Sequence, residues 1–240
     1  MSESPKVLIA IPACHSTDYG RYAAGVGGVP RDIHINGDSR ASRICAVRET
    51  WWRDLANHPN VTGKFFFGRG EDRQPLPDEV FLDVADDYVS LPHKVQGIVR
   101  WALERDFDFL FKCDDDTFVW VDRLLSGGFE HFDHYGWGTG GIGGGLLGGP
   151  GYFLSKRSMQ AVAEAPKPTR WDEDGFTAIT VCRAGMKSKI DERFVCRGAT
   201  HGGVLRWPVI RPDAFTAHEV SPEEMRALGD GRAIGVRACP

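Results

Sequence analysis

Apolar residues along the chain recur at two different spacings, and the switches between them divide it into strands and helices. Residues 6–11 (KVLIAI) are a short apolar run closed by Pro12, the pattern of a strand buried on both faces. Residues 39–57 carry Ile44, Val47, Trp51 and Leu55 at helical spacing, which predicts an amphipathic helix. VTGKFFFG at 61–68 and the short run 80–84 read as a second and third strand. Residues 91–104 place Val95, Ile98, Val99 and Ala102 on one helical face, and 107–112 read as a buried strand running straight into three aspartates. A helix is expected to start within 119–125. A strand is expected at 152–154, and further helices at 155–163 and 173–184. Beyond residue 206 the chain reads as irregular, with Pro208, Pro212 and Pro222 as punctuation. Residues 14–38 are polar and glycine-rich with no clean period, which predicts a long loop. Strands alternating with helices predict an α/β fold, a central sheet flanked by helices, with ligands outside the carboxyl ends of the strands.

Composition narrows this picture without redirecting it. At 240 residues, with 42% apolar and 26% charged side chains, the chain suits one soluble domain that folds without disulfide staples. A net charge of −4 gives no reason to expect nucleic acid or an anionic membrane as partner. No apolar run is long enough for a transmembrane segment, and the N-terminus lacks a signal-peptide pattern. The simplest expectation is therefore a cytoplasmic protein, with the secretory-pathway lumen as the alternative if the chain is a piece of a longer one. The six cysteines are widely spaced with no CxxC pair, which argues against a zinc site of the usual spacing and favours free thiols. Glycine is concentrated at 136–151, which reads as local loop chemistry.

The chemistry is concentrated in FLFKCDDDTFVWV. Asp114, Asp115 and Asp116 are consecutive carboxylates flanked on both sides by apolar residues, so mutual repulsion cannot be relieved by water alone. A divalent cation resolves the conflict, since Mg²⁺ and Mn²⁺ take carboxylate and phosphate oxygens. In an extended segment Asp114 and Asp116 point to the same side. A solvated acidic turn, or a helix cap at Asp116, is the alternative reading.

FKCDDDTFVWVDRLL closely resembles the DxD block of the β-1,3-galactosyltransferase-like and Fringe-like enzymes, glycosyltransferase family 31. Further blocks follow in the family's order: RICAVRETWW, KFFFG, DDYVSLPHKVQGIVRW, LLGGPGYFLS, DEDGF and AHEVSPEEM. Ser90 stands where the family often has Asn, and Gly175 where it has Val. The resemblance implies a GT-A glycosyltransferase fold, with a mixed central sheet and a Rossmann-like nucleotide-binding half. It implies one domain over 1–240, with a nucleotide-binding half at 1–125 and an acceptor-binding half at 126–240. It also implies a UDP-sugar donor, Mn²⁺ with Mg²⁺ as alternative, a glycan or glycoside acceptor, and inversion to form a β-1,3 linkage, with galactose the favoured sugar.

Carried over residue by residue, the resemblance makes Asp116 and His218 the metal ligands. Asp114 and Asp115 would contact ribose, donor sugar or metal-bound water. Asp174 is expected to be the general base, with Asp172 and Glu173 as competitors and helix capping as the bland reading. Arg48 and Lys94 are the cationic candidates for UDP, with Arg43 evenly balanced between that role and an ion pair. Gly149, in the Gly148–Gly151 turn, lets backbone approach the donor closely. Trp51 and Trp52 read as core, and Trp137 as a candidate sugar platform. A sugar nucleotidyltransferase and a sugar-nucleotide-binding pseudoenzyme are the rival functions. The first would carry a basic glycine-rich loop after the first strand, which IPACHSTDYGRYAAG matches poorly.

Overall fold

The computed structural model describes residues 4–14, 40–70, 72–138, 146, 148–169, 172–186, 188–197, 200–201, 204–205 and 210–234. The expected loop at 14–38, apart from Cys14, and much of the glycine-rich patch lie outside these residues. Four parallel strands form one half of a seven-stranded sheet: β1 (Val7–Pro12), β2 (Val61–Phe67), β3 (Glu79–Phe81) and β4 (Phe109–Lys112). The other half is mixed. β7 (Tyr152–Ser155) runs antiparallel to β4, β6 (His134–Gly136) antiparallel to β7, and β8 (Ser188–Ile190) parallel to β6. The order across the sheet is β3-β2-β1-β4-β7-β6-β8, a mixed α/β architecture as the sequence predicts.

Helices cover both faces, which is why β1 is apolar at every position. Val7, Ile9 and Ile11 pack toward α1 (Arg40–Glu49) and α6 (Pro222–Gly229). Leu8 and Ala10 pack toward α2 (Leu91–Leu103), α4 (Lys156–Glu164) and α5 (Glu173–Arg183). No helix among the described residues is long and apolar enough to cross a membrane. The five cysteines among the described residues are free thiols.

The helix expected at 39–57 is two helices. α1 ends at Glu49, and Trp51–Asn57 tightens into a 3₁₀ turn. Thr50 makes the break: its hydroxyl donates to the Ala46 carbonyl at 2.6 Å, and its φ of −115° and ψ of −117° leave the helix. The kink buries Trp51, whose indole N–H donates to the Thr117 carbonyl at 3.1 Å, beside the aspartate triplet. Trp52 stacks on Phe65, and the partly buried Trp137 packs one side against the core.

Among the described residues of the tail, 210–234, the chain is not irregular. β10 (Thr200–His201) and β11 (Val204–Leu205) pair antiparallel, and β12 (Thr216–His218) is the middle strand of a three-stranded sheet, between β5 (Phe118–Val119) and β9 (Phe194–Cys196). α6 then opens with a capping box. Ser221 Oγ accepts from Glu224 N at 3.2 Å, and the Glu224 carboxylate accepts from Ser221 N at 2.9 Å. Pro222 thus begins a helix rather than interrupting one, because its missing N–H is an orphan there in any case. The helix start expected at 119 is displaced by β5, and α3 covers Val121–Leu125.

One core group ties stability to pH. His134 is buried beside Ser188, its Nδ1 2.9 Å from the Ser188 hydroxyl, and burial depresses its pKa to about 3. The unfolded chain takes up this proton near pH 6.5 and the folded one only near pH 3, so stability present above pH 6.5 is lost as pH falls through that window. Replacing His134 by Gln is expected to flatten the slope of unfolding free energy between pH 6.5 and 4 by about 1.4 kcal/mol per unit. Urea melts at several pH values measure this, and parallel slopes for wild type and His134→Gln would refute it.

Candidate functional site

The site is built where the parallel strands end. β4 delivers Lys112 and then the triplet Asp114 to Asp116, and the turn at Gly148 to Gly151 lies across it. Asp114 N donates to the Gly149 carbonyl at 3.3 Å and the Thr117 hydroxyl donates to the same carbonyl at 2.7 Å. The small sheet then supplies the histidine. β12 pairs antiparallel to β5 with Ala217 opposite Phe118, so the next position sets His218 beside Thr117. His218 Nδ1 lies 3.1 Å from the Thr117 hydroxyl and 3.1 Å from Asp116 Oδ1.

Ligand atoms of Asp114, Asp116 and His218 all lie within 4.8 Å of one another. Two carboxylates and an imidazole are a donor set that suits Mn²⁺. The hydrogen bonds also select the imidazole nitrogen. The only proton on the Thr117 hydroxyl is used on the Gly149 carbonyl, so a neutral His218 donates from Nδ1 and keeps Nε2 as the acceptor. Burial disfavours the His218 imidazolium, but the Asp116 carboxylate outweighs it and raises the pKa to about 9. The His218 imidazole beside Asp116 is therefore protonated at neutral pH when no other cation is near.

Gly149 backs the same nitrogen. A Cβ there would overlap the His218 ring, Nε2 first, while the Gly149 carbonyl is pinned from two sides. Gly149→Ala must therefore displace the imidazole, an overpacking cost of about 1–3 kcal/mol. The expected result is Mn²⁺ affinity at least about tenfold weaker, taking supporting contacts to a ligand as worth about 10–100-fold. Titration followed by electron paramagnetic resonance checks this, and unchanged affinity would contradict it.

Gly148 faces a second group of acids. A Cβ there would meet Asp174 Oδ1, Lys112 Nζ and Glu173 Oε2. Its N–H donates to Asp174 Oδ1 at 2.7 Å. Glu173 is held by the Tyr152 hydroxyl, by the Thr177 hydroxyl at 2.9 Å and by Lys112 Nζ at 3.2 Å. Lys112 also reaches Asp114 Oδ1 at 2.8 Å, so one buried ammonium joins the triplet to the start of α5. Burial opposes that charge, but Asp114 and Glu173 outweigh it and keep Lys112 protonated. Burial, then the charge of Glu173, push the Asp174 carboxyl well above the usual aspartate range. Glu173 is thus held by three neighbours, and Asp174 is the carboxyl whose pKa is raised beside it.

The structure brings together Asp114, Asp115, Asp116, Gly149, Asp174 and His218. Asp115, however, lies outside the Asp114–Asp116–His218 group. It is 3% exposed and 3.5 Å from Arg43, which also lies 3.5 Å from Asp116. Arg48, expected beside UDP, sits away from the triplet. It pairs with Asp78 at 2.8 Å and Glu79 at 3.1 Å, over the Phe65 ring, and not with the triplet. Five residues along α1 turn about 140° around its axis, so Arg43 and Arg48 point in different directions and only Arg43 meets the aspartates. Lys94 does reach the strand ends, but its buried ammonium is bound by Asp86 at 2.6 Å and by the Ala13 carbonyl. Asp86 also accepts from Gly68 N at 2.6 Å, and so closes the ends of β1 and β2. Sequence reasoning missed Lys112 and Asp86. A lysine just before a carboxylate triplet was the available signal for the first, and nothing local marked the second.

The fold and these groups define an α/β protein with an acidic, histidine-containing site at its strand ends. No protein-family model matches the chain. It is 25% identical over 211 residues, 78% of its length, to UDP-GalNAc:beta-1,3-N-acetylgalactosaminyltransferase 2 of Xenopus laevis, and that stretch is 42% of the frog protein. It is 33% identical over 98 residues, 35% of its length, to Beta-1,3-galactosyltransferase 6 of Mus musculus, 30% of that protein. The chain is distantly homologous to the first over most of its length and to the second over about a third, and spans less than half of either protein. Among solved structures it is similar to a glycosyltransferase involved in glycosylation of the major capsid of PBCV-1. That match has a TM-score of 0.49 and 13% identity, and covers 94% of this chain and 100% of the other.

Proposed function

We propose that the chain is a metal-dependent, inverting glycosyltransferase that moves a galacto-configured sugar from a UDP-sugar to a sugar hydroxyl, forming a β-1,3 linkage. The observation that carries this is the meeting, at Gly148 and Gly149, of a two-carboxylate and imidazole set with a buried carboxyl of raised pKa. The names of the distant homologues supply the donor class. Both name galacto sugars, one with and one without the N-acetyl group.

Asp114, Asp116 and His218 would hold the ion. A bound Mn²⁺ or Mg²⁺ supplies positive charge for the diphosphate that leaves. Asp174 takes the proton of the acceptor hydroxyl, whose oxygen bonds to the anomeric carbon as the bond to UDP breaks on the opposite face. Its raised pKa brings an aspartate closer to the range in which a base works at neutral pH. Lys112 keeps Asp114 and Glu173 in place, and Arg43 offsets the charge of Asp115 and Asp116. Lys94 fixes the crevice wall through Asp86.

A donor screen tests the reading. UDP release is measured with UDP-Gal, UDP-GalNAc, UDP-Glc and UDP-GlcNAc, with and without EDTA, against a panel of β-linked glycosides. The expected result is EDTA-sensitive release that favours galacto over gluco donors by about tenfold, the scale of one well-made hydrogen bond to a hydroxyl. Release of pyrophosphate would instead indicate a nucleotidyltransferase. Donor binding without release in any combination would indicate a binding protein.

A further inference from the structure

His218 belongs to a second set of ligands that differs in chemistry from the first. β9 and β12 run parallel in a register that sets Cys196 against His218. Register partners on adjacent strands point to the same face, with backbones about 4.8 Å apart. Glu219 would turn to the opposite face if β12 continued. Its φ of 62° ends the alternation instead, a left-handed backbone that a non-glycine residue rarely adopts. Cys196 Sγ, a ring nitrogen of His218 and a carboxylate oxygen of Glu219 consequently lie within 4.8 Å of one another. Arg197, next in the chain, is engaged by Glu224 at 3.1 Å.

Sulfur, imidazole and one carboxylate form a softer set than two aspartates and an imidazole, and thiolate selects zinc-class ions over manganese or magnesium. Zinc bonds of about 2.3 Å to sulfur and about 2.0–2.2 Å to nitrogen or oxygen need only a small closing of these three side chains. We propose that Cys196, His218 and Glu219 form a binding site for a thiophilic divalent cation of the Zn²⁺ class. Binding sends the thiol proton, and any second imidazole proton, to solvent. Because His218 is common to both sets, filling this site withdraws an imidazole from Asp114 and Asp116. This last step rests on the metal reading of the oxygen set, whereas the sulfur site itself does not.

Cd²⁺ titration of the metal-free full chain tests the proposal through the ultraviolet sulfur-to-cadmium charge-transfer band. All proteins compared carry Cys45→Ser, Cys182→Ser and Cys239→Ser, which removes the two exposed thiols among the described residues and the one cysteine outside them. One equivalent of Cd²⁺ is expected to produce the band, Asp114→Asn to retain it and Cys196→Ser to abolish it. An equal band in Cys196→Ser overturns the proposal. Glu219→Gln keeps every remaining thiol and is expected to weaken Cd²⁺ binding by about tenfold, so unchanged affinity there also overturns it. Zn²⁺ is expected to release bound Mn²⁺, seen by electron paramagnetic resonance, with about tenfold more Zn²⁺ needed in Cys196→Ser. If no Mn²⁺ binds at all, the reading of the oxygen set fails, while the cadmium band still decides this one.

Discussion

Replacing Asp116 by asparagine is expected to lower kcat/KM for sugar transfer by about 10³-fold or more. The estimate follows from the several kcal/mol that a metal ion contributes against developing charge, at about 1.4 kcal/mol per tenfold. Asp116 supports this expectation better than its neighbours do. It is buried, it shares the ligand group with Asp114 and His218, and its Oδ1 lies 3.1 Å from the imidazole. Asp115 is equally buried but lies outside that group, so Asp115→Asn is expected to act through Arg43 and to cost less activity. The two variants are compared by Mn²⁺ titration and by UDP release with and without EDTA. Asp116→Asn should bind Mn²⁺ far more weakly, and its residual activity should no longer respond to EDTA. EDTA-sensitive turnover within about threefold of wild type would remove Asp116 from the metal reading.

Asp174→Asn should lose about 10²–10⁴-fold in kcat, the usual share of a positioned acid or base. Mn²⁺ affinity and donor KM should stay near wild type. Its effect on stability separates this role from helix capping. The folded pKa of Asp174 is raised above its unfolded value, so the ionised form costs stability above both values. A neutral amide removes that cost and can still accept the Gly148 N–H at 2.7 Å. The variant should therefore be at least as stable as wild type at pH 8 while turning over far more slowly. If Asp174 served only the N-terminus of α5, the same change would lower stability by about 0.3–1 kcal/mol and leave activity intact. Thermal melts at pH 6 and pH 8 beside UDP-release assays distinguish the two, and the second pattern would refute the base assignment.

Much of the fold was legible because burial on both sides writes itself into a strand. β1, β2 and β4 are short apolar runs at the places where the sequence predicts strands, and α2 shows a clean helical stripe. The break at Thr50 was not legible, since one hydroxyl bonding back to Ala46 leaves the apolar spacing unchanged. β5, β9 and β12 are two or three residues long, below the length at which alternation can be counted. The capping box at Ser221 and Glu224 was written in the chain, and the run of prolines around it concealed it.

The triplet, the histidine and the acid at the head of α5 are readable one by one, because each residue type carries its own chemistry. Which arginine would meet the triplet was not readable. Arg43 and Arg48 occupy the same helix, and the docking of α1 on the sheet decides between them. Nor could order along the chain show that Lys112 joins Asp114 to Glu173, or that Cys196 lies beside His218. Sequence determines what each side chain can do and which segments hide from water. Only tertiary structure decides which charges share a low-dielectric space, since electrostatic energy depends on separation in three dimensions and not on distance along the chain.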